Sequence, residues 1–168
     1  KNVIKPEFLK IESVLSAFTR KNKDLVMLAR THGQGASPTT LGKEFAVFVN
    51  RLNRQYQTLN QNKILVKLNG ATGNYNALVV AYPKSNWIKF SKTFINHLNK
   101  ICSIKLEANL ITTQIEPHDT YAELFDNLRR INTILLDLNQ DLWRYVSDNY
   151  LIQKQKESEV GSSTMPHK

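Results

Sequence analysis

The stretch DTYAELFDNLRRINTILLDLNQDLWRYVSDNYLI, residues 119–152, decides the fold of this chain. Its large apolar residues recur at steps of three and four, which aligns them on one face of an α-helix. We predict one helix over residues 119–155, capped by Asp119 and about 50 Å long at 1.5 Å per residue. So long an amphipathic helix is typical of a helical bundle, often one that other subunits complete. The apolar face consists of Tyr121, Leu124, Phe125, Leu128, Ile131, Leu135, Leu138, Leu142, Val146 and Ile152.

The same spacing predicts three helices upstream, over residues 7–30, 38–67 and 85–101. The second of them has Ser37 as its N-cap and Pro38 at its first helical position, an arrangement common at helix starts. No convincing alternation of apolar and polar residues indicates a strand, and the apolar run 79–82 is too short to build a sheet on. The predicted fold class is therefore all-α, a bundle of long helices. The apolar face of the second helix includes Leu41, Phe45, Phe48, Val49, Leu52, Tyr56 and Leu59.

The composition is that of an ordinary globular chain, with 168 residues, 41% hydrophobic and 22% charged. No run reaches the roughly 18 uncharged apolar residues of a membrane span, and the first ten residues lack the apolar centre of a secretory signal. The net charge of +9 favours anionic ligands, which include nucleic acids, membrane surfaces and phosphorylated metabolites, although the basic residues are scattered. The single cysteine, Cys102, excludes an internal disulfide and fits a cytoplasmic protein. We expect Cys102 to be buried as a small apolar residue.

Three polar segments between the helices have the composition of site-forming loops. RTHGQ, residues 30–34, holds a histidine, the side chain best suited to proton transfer near neutral pH; the alternative is a capping or core histidine. TTQIEPHD, residues 112–119, concentrates hydroxyl, amide, carboxylate and imidazole groups, which helix capping explains in part. Its spacing is poor for a metal site, and we expect neither a metal nor a cofactor. GSSTMPHK, residues 161–168, is suited to oxyanion binding or is a disordered linker.

These segments resemble the bacterial-type adenylosuccinate lyases when taken in order with NGATGNYN at residues 69–76 and the longer RTHGQGASPTTLGKE at residues 30–44. The last octet is similar to the signature of the wider superfamily of fumarases, aspartases and argininosuccinate lyases, and the other segments narrow the resemblance. One departure is Gly35, where the family commonly has proline, and glycine is expected to loosen the loop that carries His32. We expect the chain to be an internal piece of the enzyme's central helical catalytic domain.

The resemblance implies β-elimination of fumarate from adenylosuccinate, which gives AMP, and from a succinylated imidazole ribotide of purine synthesis. Matched to this sequence, His32 is the acid that protonates the departing nitrogen and Ser162 is the base, with Ser163 as the alternative base. Because a serine hydroxyl is a poor base, Lys168 and backbone N–H groups are expected to stabilise its alkoxide. Glu116 stays open as a carboxylate partner that favours the protonated form of His32.

The substrate-binding residues implied by the resemblance have side chains that donate hydrogen bonds to carboxylates or carry positive charge. Gln114 is the first candidate to hold the succinyl carboxylate. The segment 157–168 is expected to be a mobile loop that closes over the substrate. The substrate-binding set is Thr31, Thr113, Gln114, Ser163 and Lys168.

The resemblance further implies a homotetramer in which the long helices pack centrally and three chains contribute to each site. His32 and Ser162 of one chain are then expected to lie far apart and to meet only when residues of other chains are added. No nucleic-acid or membrane partner is expected. The alternatives are a sister lyase acting on argininosuccinate or fumarate and a basic helical module that binds nucleic acid.

Overall fold

The structure is a computed structural model that describes residues 3–102, 105–154, 157–158 and 162–164. It divides into two compact units, Lys1–Ile134 and Leu135–Lys168, and the division falls within the last helix. Within the described residues no helix is long and apolar enough to cross a membrane. The elements in chain order are α1 Ile4–Lys21, β1 Val26–Thr31, β2 Gln34–Thr40, α2 Leu41–Gln61, β3 Ile64–Val66, α3 Asn76–Ala81, α4 Trp87–Leu98, β4 Leu106–Ala108 and α5 Asp119–Ser147.

The chain is mostly helical, as the sequence predicts, but the expectation that it lacks strands is wrong. Two small sheets occur, one pairing β1 with β2 in antiparallel fashion and the other pairing β3 with β4 in parallel. Both sheets lie within the first unit. The turn of the β1–β2 hairpin belongs to the predicted site loop RTHGQ. The predicted site loop TTQIEPHD follows β4, at one edge of the other sheet.

The predicted helix over residues 7–30 is wrong in its second half. α1 ends at Lys21, and β1 and β2 then form a hairpin. Its turn consists of His32 and Gly33, at φ 51° and 74°, the pair of positive values that defines the two-residue turn best matched to the twist of a hairpin. Within β1, Met27 is buried while Val26 and Leu28 are exposed, which is the period of a strand.

The second helix starts three residues later than the sequence predicts. Thr40, not Ser37, is its N-cap, and the Thr40 hydroxyl accepts a hydrogen bond from the backbone N–H of Lys43 at 3.1 Å. Ser37 and Pro38 lie in β2, where Pro38 pairs with Leu28. This is an edge position at which a proline is tolerated, because its missing N–H leaves no central ladder bond unmade.

α1 and α2 pack side by side in opposite directions. Phe8, near the start of α1, stacks on Tyr56, near the end of α2, with ring centroids 4.6 Å apart. Phe18 and Phe45 make the equivalent contact at the other end, at 4.4 Å. Four of the five buried residues of α2 belong to the predicted apolar face, namely Leu41, Phe45, Phe48 and Leu52, and the fifth is Gly42.

The predicted helix over residues 38–67 also ends too late, because Ile64–Val66 form β3 instead. β3 pairs with β4, and the ladder is extended by hydrogen bonds from the N–H of Ile64 to the Lys105 carbonyl and from the N–H of Asn109 to the Val66 carbonyl, both 2.8 Å. Parallel strands place their carboxyl ends at the same edge of a sheet. The loops that follow β3 and β4 therefore start next to each other.

The last helix begins at Asp119, as expected, but ends at Ser147 rather than residue 155. Asn149 follows at φ 58°, a backbone conformation that typically terminates a helix. In the first unit Ile131 is buried as predicted and Ile134 is buried beside it, whereas Tyr121 and Phe125 are 39% and 64% exposed. Cys102 is exposed, so the expectation that it is buried is wrong.

Candidate functional site

His32 stands at the tip of the hairpin formed by β1 and β2. Thr31 and Gln34 form the last pair before the turn, and the Arg30 guanidinium donates to the Gly33 carbonyl at 3.2 Å. Thr31 and His32 are both exposed. The imidazole makes no hydrogen bond to another residue in the described part of the chain, so its two ring nitrogens are available to a ligand. It is neither a capping nor a core histidine.

Gly35 lies within β2 and not in an open loop. It pairs with Arg30, and the pairing then shifts by one residue, since Ala29 pairs with Ser37. This leaves Ala36 as the extra residue of a β-bulge, a feature that bends a strand and turns its end in a new direction. A ladder on both sides of the turn therefore holds the loop that carries His32, even though glycine replaces the usual proline there.

Thr113 and Gln114 lie on a second loop, between β4 and α5, and both are exposed. The loop is fastened to the segment that follows β3. The Asn69 amide, fully buried, donates to the Thr112 hydroxyl at 2.9 Å, and Lys67 donates to the carbonyls of Thr113 and Gln114 at 2.9 and 2.5 Å. The side chains of Thr113 and Gln114 thus project from a backbone that Lys67 and Asn69 hold in place.

A close backbone approach fastens the same two loops at a second point. Gly73 has φ 82°, and a Cβ atom at this position would overlap the carbonyl oxygen of Thr112. Only glycine combines this conformation with this proximity. The segment NGATGNYN therefore serves as the support of the loop that carries Thr113 and Gln114.

Glu116, the open candidate for a partner of His32, has another partner. It is 8% exposed, and its carboxylate accepts a hydrogen bond from the Asn109 amide at 2.8 Å. The same Asn109 accepts from the backbone N–H of Ile111 at 3.2 Å, which closes the turn after β4. Glu116 thus braces the loop that carries Gln114.

Ser162 and Ser163 belong to the second unit. Ser162 is half-buried, and its hydroxyl oxygen accepts from the backbone N–H of Thr164 at 3.2 Å and lies 3.2 Å from the Thr164 hydroxyl. Ser163 is exposed. Lys168 lies outside the described residues, as does most of the segment 157–168. The expected site residues therefore stand on three separate segments, two in the first unit and one in the second.

The arrangement offers proton-transfer and hydrogen-bonding groups rather than metal ligands. In the part of the chain that the structure describes, no three His, Cys, Asp or Glu side chains form a group that could hold a metal ion. An exposed imidazole and a serine hydroxyl can take part in proton transfer, and an amide held on a braced loop can donate hydrogen bonds to an anion.

A family model described as lyase matches residues 1–168, the whole chain. The chain belongs to this lyase family. Its curated relatives include adenylosuccinate lyase of Escherichia coli strain K12, 47% identical over 166 residues, and adenylosuccinate lyase of Legionella pneumophila strain Corby, 49% identical over 166 residues. Each match covers 99% of this chain and 35% of the relative, so the chain spans about a third of the length of the curated relatives it matches.

Solved structures share the fold of this chain. The 3-carboxy-cis,cis-muconate lactonizing enzyme from Pseudomonas putida superposes with a TM-score of 0.72 at 24% identity, covering 99% of this chain and 36% of that one. The fumarate lyase from Mesorhizobium sp. BNC1 gives 0.66 at 22% identity, covering 85% of this chain and 32% of that one. These likenesses confirm the mostly helical fold of this chain.

Sequence reasoning missed the residues that support the second loop. NGATGNYN stood out only as part of a resemblance, and Lys67 was not singled out at all. A signal for Asn69 and Gly73 existed, because a glycine-rich polar run two residues after the apolar ILV of β3 marks a close backbone approach. Nothing local identified Lys67, since its three acceptors come from the chain on both sides of α3 and α4.

Proposed function

We propose that this chain is part of an adenylosuccinate lyase, which eliminates fumarate from adenylosuccinate to give AMP and from the succinylated imidazole ribotide of purine synthesis. The observation that carries the proposal is the 47% to 49% identity, over 99% of the chain, to proteins of that name. The exposed His32 and the braced Gln114 supply the groups that the reaction needs. A cytoplasmic location, without metal, cofactor, membrane or nucleic-acid partner, fits this function.

In the proposed mechanism, Ser162 takes the proton from the succinyl carbon next to a carboxylate, with Ser163 as the alternative base. The carbon–nitrogen bond then breaks, and His32 gives a proton to the departing purine nitrogen. Lys168 and backbone N–H groups stabilise the serine alkoxide and the negative charge that spreads onto the carboxylate. A base or an acid of this kind contributes about 10²–10⁴ in rate.

Substrate binding falls to the loops of the first unit and to the serine segment. Gln114 donates its amide hydrogens to the succinyl carboxylate, and the hydroxyls of Thr31, Thr113 and Ser163 make weaker contacts of the same kind. The exposed positions of Thr31, Thr113 and Gln114 support this assignment, because each side chain is accessible from solvent. Closure of the segment 157–168 over the substrate then excludes water.

The active form in this proposal is a homotetramer with long helices at its centre and each site shared among chains. Apolar surface on α5 supports it. In the second unit Leu136 is 60% and Trp143 is 69% exposed, and seven positions place both on one side of the helix. Large apolar side chains aligned on a long helix are typical of a face that another helix covers. Sedimentation equilibrium of the protein that contains this chain measures the number of subunits.

The test of the function is a spectroscopic assay of the protein that contains this chain, with adenylosuccinate as substrate and AMP and fumarate quantified as products. Equal formation of both products is the expected result. His32→Ala and Ser162→Ala are each expected to lower kcat by at least about 10²–10⁴. Turnover of argininosuccinate or malate, with none of adenylosuccinate, would instead assign the protein to a sister lyase.

A further inference from the structure

The ammonium group of Lys67 sits at the junction of the two loops that follow the parallel strands. Lys67 comes directly after β3 and is half-buried. Its nitrogen donates to three backbone carbonyls, those of Gly70 at 2.7 Å, Thr113 at 2.9 Å and Gln114 at 2.5 Å. One acceptor belongs to its own loop and two belong to the loop that carries the proposed carboxylate-binding residues.

Three converging acceptors match the chemistry of lysine. An ammonium has three donors on one atom and no acceptor, so all of its hydrogen bonds are used here. A guanidinium presents its donors as a planar fork and does not converge them on one point. No carboxylate in the described part of the chain lies within ion-pair distance of Lys67, in contrast to Lys63, whose ammonium is 2.6 Å from Glu107. The charge of Lys67 is balanced by carbonyl dipoles alone.

Two further contacts restrict the same backbone. Asn69 and the Thr112 hydroxyl hydrogen-bond at 2.9 and 3.0 Å, and Gly73 lies against the Thr112 carbonyl. These contacts fix Thr112, whose hydroxyl also donates to the Thr113 carbonyl at 3.2 Å. Among the described residues, only the Lys67 side chain donates to the carbonyl of Gln114. The direction in which Gln114 leaves the loop therefore depends on Lys67.

We propose that Lys67 is a positioning residue for carboxylate recognition, acting through its hydrogen bonds to the Thr113 and Gln114 carbonyls. Two of the three donors hold Thr113 and Gln114 so that their side chains face the carboxylates of the succinyl group, and the third donor ties them to Gly70. The positive charge of Lys67 favours an anion at that position. Lys67 touches neither substrate nor reacting atoms. The inference rests on the proposed function and deepens it.

The test compares product inhibition in the wild-type protein and in Lys67→Met, which keeps the length of the side chain and removes donors and charge. Fumarate carries the carboxylates and AMP carries none. The fumarate inhibition constant is expected to rise about tenfold, the size of a lost charge-assisted hydrogen bond, while the AMP constant stays at the wild-type value. A merely structural role moves both constants together and overturns the proposal.

Two variants control for folding and for charge. Lys63→Met removes a neighbouring surface lysine, and both of its constants are expected to match wild type. Lys67→Arg keeps the charge but not the three donors on one atom, so its fumarate constant is expected to rise about threefold, a fraction of a hydrogen bond. A wild-type fumarate constant in Lys67→Arg overturns the proposal even where Lys67→Met does not fold. A wild-type protein without adenylosuccinate turnover refutes the proposed function instead.

Discussion

The two loops of the first unit that carry proposed site residues are held in opposite ways. The turn with His32 is closed by its own neighbours, since every ladder partner lies between Val26 and Thr40. The loop with Gln114 is held by distant residues, with Asn69 and Lys67 bonding to positions 43 and 47 residues away. The first loop is a local structure with a free tip, and the second is a tertiary structure with a fixed backbone.

The two loops suit two different roles in the proposed reaction, protonation of the leaving group and alignment of a carboxylate. An acid that protonates a leaving group needs an accessible imidazole, and an exposed hairpin tip supplies it at little cost in folding. A group that aligns a carboxylate needs a backbone that does not move, because a misplacement of about 1 Å can cost on the order of 10² in rate. We therefore expect changes in the His32 turn to affect chemistry and changes beneath Gln114 to affect structure as well.

The largest expected effect comes from His32→Asn. Asn-Gly is the favoured sequence for this turn, because asparagine tolerates positive φ, so the hairpin is kept or strengthened. The proton donor is lost, and kcat is expected to fall by about 10²–10⁴ with no loss of stability. Steady-state kinetics and thermal unfolding measure the two quantities. A variant that turns over normally would remove His32 from the mechanism.

A second prediction follows if His32 and Ser162 of one active site come from different chains. His32→Asn and Ser162→Ala are each inactive, but tetramers formed by co-expressing both are expected to recover about a quarter of wild-type activity, because each site draws the two residues from different chains. Activity of purified hybrids, isolated with two affinity tags, is the measurement. If both residues of a site came from one chain, the hybrids would stay as inactive as either parent.

A smaller effect, on stability, is expected to differ between the two loops when a glycine of each is replaced by alanine. Gly33 and Gly73 have similar φ values of 74° and 82°, but a Cβ atom at Gly33 meets nothing within 4 Å and one at Gly73 overlaps the Thr112 carbonyl. Gly33→Ala is expected to cost about 1–2 kcal/mol of unfolding free energy from backbone strain alone. Gly73→Ala adds displacement of the loop and is expected to cost more. Denaturant unfolding at one protein concentration compares them, and equal losses would contradict the close approach at Gly73.

The sequence predicts the elements that local spacing determines and misses those that long-range contacts form. α2 and the first part of α5 were predicted because Phe45, Phe48, Leu52 and Ile131 repeat at helical spacing within one window. β3 and β4 were not, because three residues such as Ile64–Val66 carry no period, and they become a strand only through a partner on the far side of α3 and α4. The site residues were named from motifs, but the support beneath Gln114 is a long-range contact that no local pattern contains.

The smallest expected effect tests where the hairpin gives way to α2. The sequence favoured Ser37 as the helix cap, whereas in the structure the Thr40 hydroxyl accepts from the Lys43 N–H and Ser37 is an exposed strand residue. Thr40→Ala is therefore expected to cost about 1 kcal/mol of unfolding free energy, the usual value for a lost N-cap. Ser37→Ala serves as the matched control and is expected to change stability by less than about 0.5 kcal/mol, as surface substitutions do. Denaturant unfolding of both variants decides the question. A larger loss in Ser37→Ala than in Thr40→Ala would mean that the helix reaches back into the strand, and the hairpin would then be too short to hold His32 at a closed turn.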